Sequence, residues 1–178
     1  AGVRSFLGYM MSHPGKKLHF MGSEIGQFKE WAYKEGIEFF LTQYPLHHQL
    51  QTMVKDLNNL YKNTPALYEI EDSWDGFEWL ATDDADSNFY AYQRKDKAGN
   101  TVVVLLNFSG GDHLNYRLGL PEGKYEVLFN TDKACYGGSG KYDRKRIYNT
   151  KRKHSHGKEN SITFDIPKMT CVYLKKIF

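Results

Sequence analysis

No apolar run in the sequence approaches the roughly 20 residues that cross a bilayer, and the opening AGVRSFLGYMMSHPGKK lacks the small-residue cleavage pattern of a secretory leader. These absences point to a soluble, cytoplasmic chain with no membrane partner. Cysteine is scarce: Cys135 and Cys171 stand outside any CxxC or Cys/His spacing, so they build neither a disulfide framework nor a structural zinc site. His47-His48, His154 and His156 have no carboxylate or cysteine at metal-ligand spacing, and neither a metal nor a cofactor is expected. Internal repeats and low-complexity tracts are missing too. With 40% hydrophobic residues in 178, the chain is neither fibrous nor disordered and can bury a core of one domain or slightly more.

What is present falls into two textures. Val3 to His13 carries Phe6, Leu7, Met10 and Met11 at helical spacing and is stopped by Pro14-Gly15. Lys17 to Met21 reads as a short buried strand. Gly22 to Tyr44 has no sustained period and predicts a long loop, with a turn of helix near Ile37 to Leu41. From Pro45 to Asn63 a clear stripe of Leu46, Leu50, Met53, Val54, Leu57, Leu60 and Tyr61 predicts an amphipathic helix, with Pro45 in its first turn and Thr64-Pro65 ending it. Such a stripe must be covered, by self-association or by docking on the rest of the chain.

Beyond Pro65 the runs become short, aromatic and β-branched. Strands are expected at 76–80, 88–95, 101–109, 115–120, 124–130, 161–166 and 170–177. Lys97-Ala98-Gly99-Asn100 and Pro121-Glu122-Gly123 supply the residues of hairpin turns. Strands at this spacing imply an antiparallel β-sandwich, so the fold is expected to be mainly β, with a boundary near residues 62 to 70.

Charge is uneven. Lys141 to Lys158 holds Lys141, Arg144, Lys145, Arg146, Lys151, Arg152, Lys153 and Lys158 against Asp143 alone, so the remainder is slightly acidic. Either the stretch is a solvated loop or it meets phosphates. It lacks the interleaved aromatics of a single-strand binding surface, and no nucleic-acid partner is expected.

Three segments together resemble the C-terminal portion of glycogen branching enzymes of the α-amylase superfamily. The first is His13-Pro14-Gly15-Lys16-Lys17-Leu18-His19-Phe20-Met21-Gly22-Ser23-Glu24-Ile25-Gly26-Gln27 with Glu30-Trp31. The second runs from Tyr44-Pro45-Leu46-His47 through Asp56-Leu57-Asn58-Asn59-Leu60-Tyr61 to Pro65-Ala66-Leu67-Tyr68-Glu69 and Gly76-Phe77-Glu78-Trp79. The third joins Asn130-Thr131-Asp132 to Tyr136-Gly137-Gly138-Ser139-Gly140. The resemblance implies that residues 1–62 are the last strand, long loop and final helix of a (β/α)8 barrel, and that 63–178 form the all-β C-terminal domain. Where many family members carry an Asp-Trp pair after the long loop, this chain has Glu38-Phe39, and that pair is assigned no sugar contact.

The implied activity cuts an α-1,4 bond in a glucan and moves the released segment to a 6-hydroxyl with retention, which requires two carboxylates about 5 to 5.5 Å apart. Their family motifs are not found in this sequence, so no residue here is expected to be catalytic and the chain alone should be inactive. The α-glucan and the preceding part of the barrel are the partners implied. Glu24, Gln27, Glu30 and Trp31 are candidates for lining the glucan cleft, since they follow a barrel strand at the face where active sites form. The alternative is that Glu24 and Gln27 hold the loop and Trp31 packs on the barrel. Trp74, in a polar stretch, is the surface candidate of the β-domain; Trp79, alternating with Phe77, reads as core. Tyr136 either presents a ring or simply precedes a turn. A carbohydrate-binding module acting without chemistry is the competing function.

Overall fold

The computed structural model describes residues 1–143 and 147–178. The helix α1 (Gly2–Ser12) and the longer α2 (Pro45–Lys62) precede the strands β1 (Phe77–Ala81), β2 (Phe89–Lys95), β3 (Thr101–Asn107), β4 (His113–Gly119), β5 (Lys124–Asn130), β6 (Ile147–Asn149), β7 (Lys151–Ser155), β8 (Lys158–Ile166) and β9 (Thr170–Lys176). Among the described residues they form two antiparallel sheets, in the orders β1-β2-β3-β9-β5-β6 and β4-β8-β7. No helix there is long and apolar enough to cross a membrane.

β3 shows why the layers stack as they do. Its side chains alternate across the sheet. Val102, Val104 and Leu106 join Leu7, Met11, Met53 and Leu57 of the helices in one core, whereas Val103 and Leu105 join Leu118, Ile162 and Phe164 of the smaller sheet in another. The uninterrupted run Val102 to Leu106 is therefore a strand buried on both faces. The sandwich expected from the strand spacing is present, with the two helices covering the outer face of its larger sheet. Of the two outcomes for the α2 stripe, docking is the one seen: Met53, Val54 and Leu57 are buried, while Leu46 stays 70% exposed at the N-terminal end.

The β2–β3 turn forms as its residues predict, with Gly99 at φ 83° and the Asp96 carboxylate accepting from the Asn100 amide at 2.8 Å. Three expectations are corrected. Lys17 to Met21 is no strand: no described neighbour offers a ladder, and at Phe20 the backbone turns instead to Ser23, whose hydroxyl accepts from the Phe20 N–H at 3.1 Å and whose N–H donates to the Phe20 carbonyl at 3.0 Å; Leu18 and Phe20 lie exposed. Pro121-Glu122-Gly123 joins no hairpin, because β4 and β5 belong to different sheets and the turn crosses between them. The basic stretch is more than a loop. It contains β6, β7 and the start of β8, whose backbone pairing holds them although few of their side chains are buried; Arg144 to Arg146 lie outside the described residues.

Candidate functional site

The long loop from Gly22 is pinned at one apolar point. Ile25 is fully buried, and the His47 ring donates from Nδ1 to its carbonyl at 2.7 Å, which fixes the proton on that nitrogen. Gln27 then closes the loop on itself: its amide donates to the Lys29 carbonyl and its Oε1 accepts from the Glu38 N–H, each at 3.0 Å. Both polar ends of Gln27 thus serve the backbone. Glu24 faces an open cleft of about 560 Å³ shared with His19, Ile37, Asn58 and Asn59. Glu30 is exposed, as is Trp31, whose ring leans on Phe20 with centroids 4.8 Å apart. Trp31 holds φ +55°, a left-handed conformation uncommon for so bulky a residue. It projects from the body and does not pack on it.

Trp74 is elsewhere. It stands on a short 3-10 turn (Trp74–Gly76), stabilised where the Ser73 hydroxyl accepts from the Asp75 amide at 3.1 Å. The chain passes so close at Gly76 that an added Cβ would lie 2.2 Å from the Ile70 carbonyl oxygen, so only glycine fits. Trp74, Phe77 and Trp79 then line one side of a second cleft, of about 450 Å³, closed on the other by His13, Pro14 and Glu71. Phe77 sits edge-on to Trp79 at 5.1 Å and 5.9 Å from Trp74, giving a short aromatic ladder. Trp74 is 80% exposed and Trp79 42%.

The base of this second cleft is held by a buried cation. Arg94 donates to the carbonyls of Ser12 at 2.7 Å and of Gly76 and Ile70 at 3.2 Å each, tying the end of α1 to both sides of the aromatic turn. Burial lowers the Arg94 pKa, with Glu71 acting in the opposite direction. Glu71 is already engaged, lying 3.5 Å from Lys17 and accepting from the Tyr61 hydroxyl at 3.3 Å. Burial also pushes His13 below the ordinary imidazole range, so it faces the cleft uncharged at neutral pH. Flat rings beside hydroxyl and carboxyl groups suit a ligand with apolar faces and polar edges; no group of three or more His, Cys, Asp or Glu among the described residues is placed to hold a metal.

The sequence candidates are therefore not one site. Glu24, Gln27, Glu30 and Trp31 belong to the loop before α2, and Trp74 to the cleft at the end of α1. Trp79 is not the core residue that its alternation with Phe77 suggests. Both point to the helix side of the sheet, but the cover provided by α1 stops at Ser12, leaving Phe77 buried and Trp79 at the cleft. His13 was also missed; aromatics at 74, 77 and 79 with a His-Pro helix stop are the available signal. Tyr136 is buried, its hydroxyl donating to Asp56 at 2.8 Å, so the following glycines make a turn and present no ring. Glu38 lies 3.7 Å from Lys29, consistent with a role inside the loop.

Residues 79–177 match the family described as alpha amylase, C-terminal all-beta domain. Across 175 residues, 98% of the chain, the sequence is 42% identical to 1,4-alpha-glucan branching enzyme GlgB of Photobacterium profundum. It is 39% identical over 182 residues to the enzyme of that name from Aquifex aeolicus. These relatives bear out the likeness read from the three sequence segments. The chain spans about a quarter of their length, 24% of the first and 28% of the second. Among solved structures it resembles the Group B Streptococcus pullulanase SAP, with a TM-score of 0.65 over 97% of this chain and 27% of that one at 14% identity. A similar match, with TM-score 0.65, 98% and 31% coverage and 13% identity, is to the catalytic module of the glycogen-degrading pneumococcal virulence factor SpuA. At these identities the likeness is one of fold.

Proposed function

The chain belongs to the alpha amylase C-terminal all-beta domain family, and from that premise we propose that it is the C-terminal portion of a 1,4-alpha-glucan branching enzyme. The observation that carries this reading is the 42% identity extending over nearly the whole chain, helices included, to a protein of that name. The parent activity, in this reading, cleaves an α-1,4 bond and transfers the segment to a 6-hydroxyl, in the cytoplasm. Residues 1–62 are the end of its barrel and 63–178 its β-domain. The nucleophile and acid lie in the rest of the protein, and this chain alone is inactive.

The segment 18–46 supports the same reading through what it leaves uncovered. Leu18, Phe28, Trp31, Tyr33 and Leu46 are each at least 70% exposed, an apolar surface that the preceding part of the barrel would cover. Within the assembled cleft Glu24, Glu30 and Trp31 meet the glucan, and Gln27 holds the loop that presents them. On the β-domain, Trp74 with Trp79 stacks on pyranose rings; the exposed aromatic cleft that they line is also the observation that favours the non-catalytic reading, a carbohydrate-binding surface.

Two experiments separate the readings. Incubation with amylose, followed by iodine absorbance, is expected to give no change with this chain alone; turnover would overturn the assignment of catalysis to the remainder. NMR titration with maltoheptaose, following the indole N–H signals of Trp31, Trp74 and Trp79, is expected to shift Trp74 and Trp79. Shifts at neither, up to millimolar sugar, would remove the β-domain glucan site.

A further inference from the structure

The least explained charge in the molecule is on β7. It is the outer strand of the smaller sheet, pairing with β8 on one side and with no described strand on the other. Its residues Lys151, Arg152, Lys153 and His154 are exposed without interruption, so cations stand on both faces of the strand and not on one. The cross-strand partners of Lys151 and Arg152 are Ser161 and Asn160, which bring no charge.

Several lysines elsewhere find carboxylates, Lys17 with Glu71, Lys29 with Glu35 and Glu38, Lys158 with Glu78, Lys141 with Asp112; others, such as Lys55, Lys62 and Lys97, are single exposed cations and not part of a run of three. Lys151, Arg152 and Lys153 lie within ion-pair distance of no carboxylate among the described residues, and Glu159 on β8 makes none with them. Lysine on a sheet edge commonly blocks unwanted pairing with a neutral or cationic strand, a block that an acidic strand would not meet. Lys151 and Lys153 share one face of the strand, and like charges held there repel. A neutral glucan has no use for them.

We propose that β7 is a docking edge for an acidic, extended peptide segment of a partner protein, which adds to the β4-β8-β7 sheet as a further antiparallel or parallel strand. Every second backbone N–H and C=O of an edge strand points outward and can pair with an incoming chain. Because cations occupy both faces of β7, the complementary segment carries carboxylates on both of its own faces: a consecutive run of Glu or Asp, not an alternating one. A peptide satisfies the backbone edge as well as the charges; a nucleic acid would use the charges alone and finds no Phe, Tyr or Trp among Lys151 to Ser155 on which to stack. This inference is independent of the glucan reading, and its test reads no activity.

The probe is a fluorescein-labelled oligo-glutamate, titrated with the 178-residue chain at low salt and followed by anisotropy. The variant K151Q/R152Q/K153Q is expected to weaken binding about tenfold or more, whereas K55Q/K62Q/K97Q, which removes equal charge from other exposed positions, leaves it nearly unchanged. Methylating alternate backbone nitrogens of the peptide removes its ladder donors and is expected to cost a comparable factor. In the unmodified chain, amide shifts on titration should concentrate at 151–155 and 158–161, a readout that needs no variant to fold. Absence of binding, equal loss in both triple variants, or shifts spread over the surface would overturn the docking edge. Undiminished binding of the methylated peptide, or equally tight binding of oligothymidylate, would overturn the peptide-strand assignment and leave a general polyanion patch.

Discussion

Aromatic residues are treated in opposite ways by the sheet body and by the loop before α2. Tyr92 and Tyr173, on strands, have no accessible surface, and each anchors its hydroxyl to α1: Tyr92 to the Ser12 side chain at 2.6 Å, Tyr173 as a donor to the Gly8 carbonyl. Phe28, Trp31 and Tyr33, on the loop, are 77%, 73% and 76% exposed. The same residue type is structural where backbone pairing presents it to a core and is left in water where nothing faces it. An aromatic count therefore says little about stability until the cover of each ring is known.

That contrast is open to direct attack, beginning with the body. Tyr173→Ala should lower the unfolding free energy by about 3–5 kcal/mol, since it removes a fully buried ring and one of the donors to the Gly8 carbonyl, which keeps the Ser12 hydroxyl at 2.9 Å; urea denaturation followed by circular dichroism measures this, and a loss below about 1 kcal/mol would contradict the packing described. Tyr136→Phe takes only the hydroxyl that donates to Asp56 and should cost about 1–2 kcal/mol, with faster hydrogen exchange in α2. Trp31→Ala should alter stability by less than about 0.5 kcal/mol. Should the loop variant prove as costly as the body variant, the distinction between the two regions fails.

The smallest effect concerns pH. Burial lowers the His13 pKa in the fold, so the unfolded chain binds the extra proton more readily, and stability is lost as pH falls below the unfolded value near 6.5 towards the folded one. Glu78 is also held low, chiefly by Lys158 with Gln93 assisting, and its contribution disappears at more acid pH, below the ordinary carboxylate value. Thermal midpoints between pH 5 and 7 should decline in the parent chain, with a shallower decline in His13→Gln; identical slopes would remove His13 from the cause.

Legibility in the sequence followed burial. β3 and β9 could be read because apolar side chains mark both their faces, and α2 because its stripe has one period. β6 and β7 could not, because Lys151-Arg152-Lys153-His154 has no apolar alternation and is a strand only through pairing with β8. Lys17 to Met21 erred in the other direction: its side chains suit a strand, but a strand is a property of neighbours. In the candidate sites, Trp74 was visible as an aromatic in polar company. The cleft was not, since His13 and Trp79 line it from positions 66 residues apart, and the backbone bonds of both polar ends of Gln27 depend on a loop conformation that no periodicity marks.

Arg94 ties segments that lie far apart in the chain, with Ser12 and Arg94 separated by 82 positions. Its guanidinium has donors only, so the three carbonyls it holds must arrive together or leave a desolvated charge behind. A species in which the sheet is formed while α1 is detached would carry that penalty, together with the unpaired hydroxyls of Tyr92 and Tyr173. The first helix and the central strands should accordingly open as one cooperative unit, with α1 amides exchanging at rates like those of β3.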